Sequence, residues 1–246
     1  MLTILPPPER VSFYHVQSLN REIYWLQNSR VYSPTQMCMK ILRYATIATK
    51  GIRKGKAEDI RRGTVMAFSW SLALANHLSL DLDMEVRKRF PGVCPYCTTA
   101  PCACGNKRAS VRGLETPAGN LPVPLSVAGL QFMFAGIYPQ NTLVDSGAHL
   151  TEEGAELLEA YIDYVARHTN KLFEEVVLEL VDVIANLFAV ANTISELQGF
   201  PMSLMAEYLS VFGKGCPNCT LETCACGLTS TADSVVMTRG VVAPPK

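Results

Sequence analysis

Residues 173–195 read FEEVVLELVDVIANLFAVANTIS. Val176, Val177, Leu180, Val181, Ile184, Leu187, Phe188 and Ala191 recur at helical spacing over a broad face, the pattern of a helix buried in a bundle core. A strand would alternate apolar and polar residues, and no segment of the chain does so convincingly. Just upstream, Leu157, Leu158, Tyr161, Ile162 and Val165 form a second apolar stripe. Thr151 suits its N-cap, with Glu152 and Glu153 in the first turn, where the helix dipole favours acids. The first half follows the same plan. Ser33 suits a cap, Pro34 the first helical position and Gln36 a capping box, so a helix is expected over about 34–50, closed by Gly51, and a partner over about 57–78. The expected fold class is all-α, two long helices to each half.

The cysteines show that the chain is written twice. Cys94-Pro95-Tyr96-Cys97 with Cys102-Ala103-Cys104-Gly105 returns as Cys216-Pro217-Asn218-Cys219 with Cys224-Ala225-Cys226-Gly227, an offset of 122 (216 − 94). Upstream the offset is 116 (192 − 76): Ala75-Asn76 falls on Ala191-Asn192, Ala73 on Ala189 and Leu42 on Leu158. The predicted organisation is a first repeat with its four-cysteine motif over 1–105, a Pro- and Gly-rich linker over 106–130, a second repeat with its motif over 131–227, and a polar tail over 228–246. Each motif offers four thiolates, enough for one closed tetrahedral zinc site, so about two structural Zn²⁺ are expected. Disulfide pairing, one eight-cysteine binuclear centre and an iron–sulfur cluster are the alternatives. The ninth cysteine, Cys38, lies between Met37 and Met39 on a helix and reads as core.

Composition narrows the function classes. With 246 residues and 48% apolar content the chain can bury a sizeable core, and Lys plus Arg balance Asp plus Glu at 22 each. No net field attracts nucleic acid or an anionic membrane, and the cysteine motifs carry almost no basic residue. The N-terminus has no signal-peptide pattern. The longest apolar stretch, 65–80, is interrupted by Ser69, Ser71, Asn76 and His77 and falls short of the ~20 residues a span needs. A cytoplasmic protein without membrane or nucleic-acid partners is expected.

Chemistry concentrates in four acids. Glu153 and Glu156 stand three apart on one helix, Glu179 and Asp182 three apart on the next, so each pair shares a face at the margin of an apolar stripe. Packed as a hairpin, the two helices would bring the carboxylates into one pocket, where they repel unless a hard divalent cation, Mg²⁺ or Mn²⁺, neutralises them. Solvated acids on amphipathic helices are the plainer alternative. It fits poorly with Glu179 and Asp182, which interrupt a strongly apolar run.

These paired Glu-x-x-Glu and Glu-x-x-Asp signatures resemble those of MazG-type nucleotide pyrophosphohydrolases, an all-α superfamily. The likeness covers about residues 130–215, and the basic stretch Arg87-Lys88-Arg89-Phe90-Pro91 is similar to the one that follows the second helix in that family. The resemblance implies hydrolysis of a nucleoside triphosphate to monophosphate and pyrophosphate, with Glu153, Glu156, Glu179 and Asp182 holding Mg²⁺. Phosphate contacts are expected from Lys171, in the turn between the helices, from Lys214, and from Lys50, Lys54, Lys56, Arg61 and Arg62 of the first repeat. Subtracting 116 from the four acid positions gives Met37, Lys40, Gly63 and Met66, none of them a ligand, so the first repeat is expected to be catalytically silent. The whole is expected to form a covalent pseudo-dimer bundle, with a homodimer of that chain as a further partner. A non-catalytic nucleotide sensor or assembly module is the competing reading. Of the histidines, only His149 lies near enough to the acidic helix to approach phosphates.

Overall fold

The local signals become helices at caps that the chain supplies in order. The computed structural model describes residues 5–104 and 122–226. After a 3₁₀ turn at Pro8–Arg10 come α1 (Phe13–Val31), α2 (Pro34–Arg53), α3 (Ala57–His77) and α4 (Leu82–Arg89), then α5 (Val127–Ile137), α6 (Leu143–Arg167), α7 (Asn170–Thr193), the single turn α8 (Ser195–Gln198) and α9 (Leu204–Phe212). There is no strand among the described residues. The capping box at α2 forms as its spacing requires: Ser33 Oγ accepts from Gln36 N at 3.3 Å and Gln36 Oε1 accepts from Ser33 N at 2.9 Å.

Several expected boundaries move. Helix α6 begins at Leu143, because Thr142 caps it by accepting from Asp145 N at 3.1 Å. Thr151 therefore lies inside the helix, where its hydroxyl donates to Gly147 O at 3.1 Å and meets Thr49 Oγ1 of α2 at 2.8 Å. Thr169 caps α7, which puts Lys171 in its first turn and not in the connection. Gly51 sits within α2, which ends at Arg53. The last residues of the expected linker are already helical, since Ser126 caps α5 through Gly129 N at 3.1 Å. The rest of that linker, through residue 121, and the tail lie outside the described residues. Each repeat also gains a helix before its hairpin, α1 or α5, and one after it, α4 or α9.

The hairpins α2–α3 and α6–α7 pack on each other, α2 against α6 and α3 against α7, and one continuous apolar core takes residues from both repeats. Helix α7 is buried nearly all round. With α8 it is apolar enough to cross a membrane by composition, yet 83% of its apolar window is inside the protein. Close approach is written at Gly63 on α3: a methyl group there would stand 2.5 Å from Ala48 N and 2.7 Å from Tyr44 O, so only glycine lets α2 and α3 touch.

The duplication recurs atom by atom. In the first repeat Gln17 Nε2 donates to Asn76 Oδ1 (3.3 Å) and Leu80 O (2.8 Å), Asn76 Nδ2 donates to Gln17 O (2.9 Å), and Leu82 N donates to Gln17 Oε1 (3.1 Å). In the second, Gln131 Nε2 donates to Asn192 Oδ1 (3.0 Å) and Met202 O (2.7 Å), Asn192 Nδ2 donates to Gln131 O (2.9 Å), and Leu204 N donates to Gln131 Oε1 (3.1 Å). These buried amides satisfy one another and fix how the first helix of each repeat lies on the second hairpin helix.

The cysteine knuckles cross over. Cys102 N of the first donates to Ile137 O at the end of α5, in the second repeat, at 2.7 Å; Cys224 N of the second donates to Ile23 O of α1, in the first, at 2.6 Å. Each knuckle thus docks on the other repeat.

Candidate metal centres

Helices α6 and α7 run as a hairpin whose facing stripes carry the acids. One carboxylate oxygen each from Glu153, Glu156 and Glu179 lie within 4.8 Å of one another. Glu153 and Glu179 are buried, and Glu153 Oε2 has no hydrogen-bonding partner among the described residues. Burial, and then the charges of Asp182, Glu179 and Glu156, push the Glu153 carboxyl up to about 9. Such a group demands either a proton or a cation. Three clustered carboxylates, one of them with a buried unsatisfied oxygen, fit a hard divalent ion.

Asp182, the fourth expected ligand, is placed differently. Arg89, at the end of α4 and only 2% exposed, reaches it through Nε to Oδ1 and Nη2 to Oδ2, both 3.3 Å, and also donates to Tyr96 Oη at 3.4 Å. The guanidinium lies 5.3 Å from the Tyr96 ring centre. Arg87 and Lys88 of the same basic stretch stay with Asp83 and Glu85 of their own helix, so only Arg89 turns inward. Its charge was legible in the sequence; its partner, 93 positions away, was not.

Beside the acids opens a cavity of about 370 Å³, lined by Glu153, Asp182, His149, Asn141, Asn186 and Tyr138, and closed on one side by Cys94, Cys102 and Cys104 of the first knuckle. The crossover therefore makes the first repeat's knuckle a wall of the second repeat's site, which sequence reasoning missed. His149 lines this cavity, its Nδ1 3.0 Å from Glu152 Oε2. None of the lysines and arginines expected to contact phosphates lines it. Lys50, Lys54, Lys56, Lys171 and Lys214 are exposed elsewhere. Arg61 pairs with Glu207 at 3.4 Å and Gln198 at 2.8 Å, and it shares with Arg62 a groove lined by both repeats.

The cysteines cluster as their spacing requires. Cys94, Cys97, Cys102 and Cys104 bring their sulfurs within 4.8 Å of one another, as do Cys216, Cys219, Cys224 and Cys226, and all eight are free thiols. The Cys94–Cys104 sulfurs are 3.7 Å apart, Cys97–Cys102 3.9 Å and Cys216–Cys226 3.9 Å. A disulfide holds sulfurs at about 2.05 Å. Four thiolates at ~2.3 Å around one tetrahedral Zn²⁺ stand roughly 3.8 Å apart, so both clusters have the geometry of a zinc site. The turns match too: Thr98 and Thr220 adopt φ 55° and 60°, and each donates its N–H to the first cysteine's carbonyl, at 2.9 and 2.8 Å. Cys38 is fully buried, and burial pushes its thiol up to about 12, which leaves it an inert core residue.

In the first repeat the four aligned positions hold no carboxylate: Met37 is core, Gly63 is closed by the α2 backbone, and Lys40 and Met66 edge a separate cavity. Comparison of the chain with protein-family models, curated proteins and solved structures finds no match.

Proposed function

We propose that the second repeat is a Mg²⁺-dependent nucleotide pyrophosphohydrolase site of the MazG type, cleaving a nucleoside triphosphate and water to monophosphate and pyrophosphate. The observation that carries this reading is the convergence of Glu153, Glu156 and Glu179 beside a cavity, with the Glu153 oxygen buried and unsatisfied. Those three carboxylates hold the divalent ion, which supplies charge neutralisation at the phosphates and an acidified water. Asp182 keeps Arg89 in place and adds negative charge to the cation site. Asn141, Asn186 and Tyr138 offer neutral polar contacts to the nucleoside, and the first knuckle limits water access. The two zinc ions are structural, and the first repeat contributes packing and that wall.

The absence of an expected lysine or arginine contact from the cavity lining favours a second reading, a nucleotide sensor that binds without turnover. A panel of canonical, deoxy and modified nucleoside triphosphates with Mg²⁺, with pyrophosphate and orthophosphate measured separately, decides. Pyrophosphate as the first product, lost when the divalent ion is removed, is expected. Orthophosphate first would overturn the bond assignment, and saturable binding without product would establish the sensor.

A further inference from the structure

The internal symmetry that builds the acidic cavity builds another of about 220 Å³ in the first repeat. Asp182, Asn186 and Ala189 of the one are answered by Met66, Trp70 and Ala73 of the other, and Cys94 and Cys102 by Cys216 and Cys224. Its chemistry is inverted. Where the second repeat has Glu156, this cavity has Lys40, whose ammonium lies 5.6 Å from the Tyr32 ring centre and has no carboxylate partner among the described residues. Tyr32 in turn stands edge-on to Trp70, ring centres 4.9 Å apart. A further independent sign of a ligand is Asn28, only 7% exposed and lining the cavity, whose carboxamide makes no hydrogen bond among the described residues. The side chain is largely enclosed while its amide stays open to the cavity, so both its donor and its acceptor are available to a ligand.

An aromatic wall, an open carboxamide and an uncompensated ammonium together suit a planar heterocycle carrying an anion. At about 220 Å³ the cavity is smaller than the acidic one at about 370 Å³, which suits a ligand shorter than a triphosphate. We propose that this cavity is a metal-independent binding site for a nucleoside monophosphate, with the base against Tyr32 and Trp70, its edge read by Asn28, and the phosphate on Lys40. In effect the ammonium of Lys40 replaces the carboxylate and cation of the other repeat. The assignment stands whether or not the second repeat hydrolyses nucleotides.

The test uses full-length, zinc-replete protein in magnesium-free buffer, carrying Glu156→Gln to disable the acidic cluster and Trp25→Phe so that Trp70 is the remaining tryptophan. AMP, GMP, CMP and UMP are titrated in turn, with inorganic phosphate and free nucleosides as separate probes. At least one monophosphate is expected to change Trp70 fluorescence saturably, at one site per chain, and more tightly than phosphate or the nucleoside alone. Lys40→Met should weaken it by about tenfold, equivalent to about 1.4 kcal/mol, with unchanged zinc content and helicity, and Asn28→Leu should weaken it comparably. The proposal falls if no monophosphate gives a saturable signal, or if affinity survives Lys40→Met and Asn28→Leu within about twofold. Loss of triphosphate hydrolysis in the unmodified protein would count against the catalytic reading alone.

Discussion

With its carboxyl pushed up to about 9, Glu153 keeps a proton in the metal-free protein at neutral pH. Between its ordinary value of 4.5 and about 9 the unfolded chain has released that proton while the folded chain holds it. Metal-free stability therefore falls as pH rises through that window and is unaffected by this group below it. Glu153→Gln should flatten the slope and raise the magnesium-free melting temperature at pH 8 by a few degrees, at roughly 2–4 °C per kcal/mol for a chain of this size. On the proposed reading Mg²⁺ or Mn²⁺ must displace the proton, so calorimetry should show affinity rising from pH 6 to 8 with proton release. A flat affinity profile would remove the divalent ion from this site. Asp182 asks for a different experiment. Asp182→Asn removes a charge partner of the buried Arg89 guanidinium, and breaking a buried pair costs up to about 3–5 kcal/mol, so lost activity would be confounded with lost stability. Combining it with Arg89→Met should restore most of the melting temperature but not turnover, whereas Glu156→Gln should abolish turnover with the fold intact. Lys40→Gln should leave kcat near normal.

At the scale of elements, the two knuckles share a sequence pattern and a sulfur geometry but not a neighbourhood. The first walls the acidic cavity, and the second docks on α1, where Cys224 Sγ lies 2.8 Å from Gln27 Oε1. About two zinc ions per chain are expected by elemental analysis. Cys102→Ser and Cys224→Ser should each lose about one and each lower stability, because ligation energy is folding energy. Only Cys102→Ser should also impair nucleotide hydrolysis at temperatures where the protein stays folded. Equal catalytic damage from both would mean that the crossover does not shape the site.

For the whole molecule, two repeats that differ at the acid positions share a frame of Gln–Asn hydrogen bonds. On the proposed reading, in which the first repeat is catalytically silent, restoring its acids should not create a second active site. Gly63 aligns with Glu179, yet its α-carbon faces the α2 backbone so closely that any side chain must push the hairpin apart. Gly63→Glu should lower stability by about 3 kcal/mol, the upper end of overpacking costs, and urea unfolding measures it. A neutral outcome would show that α2 and α3 separate more easily than their packing implies.

The sequence by itself determined the helical class, the repeat, the eight thiolates and the pairing of acids on consecutive helices. Those features are local: apolar spacing of three and four, a capping Ser33 with Gln36, and cysteines a few residues apart all act over one or two helical turns. It also held the caps that set the boundaries, Thr142 and Thr169; for α6 Thr151 offered an equally plausible start, and the buried Leu143, Ser146, Gly147 and Leu150 carry the helix back past it. Tertiary structure alone decided that Arg89 would meet Asp182, that each knuckle would cross to the other repeat, and that the basic residues nearest in sequence would stay outside the acidic cavity. Such pairings join positions far apart in the chain, and they are selected by whole-face packing and by the cost of leaving a buried charge or amide unsatisfied, which no local spacing encodes.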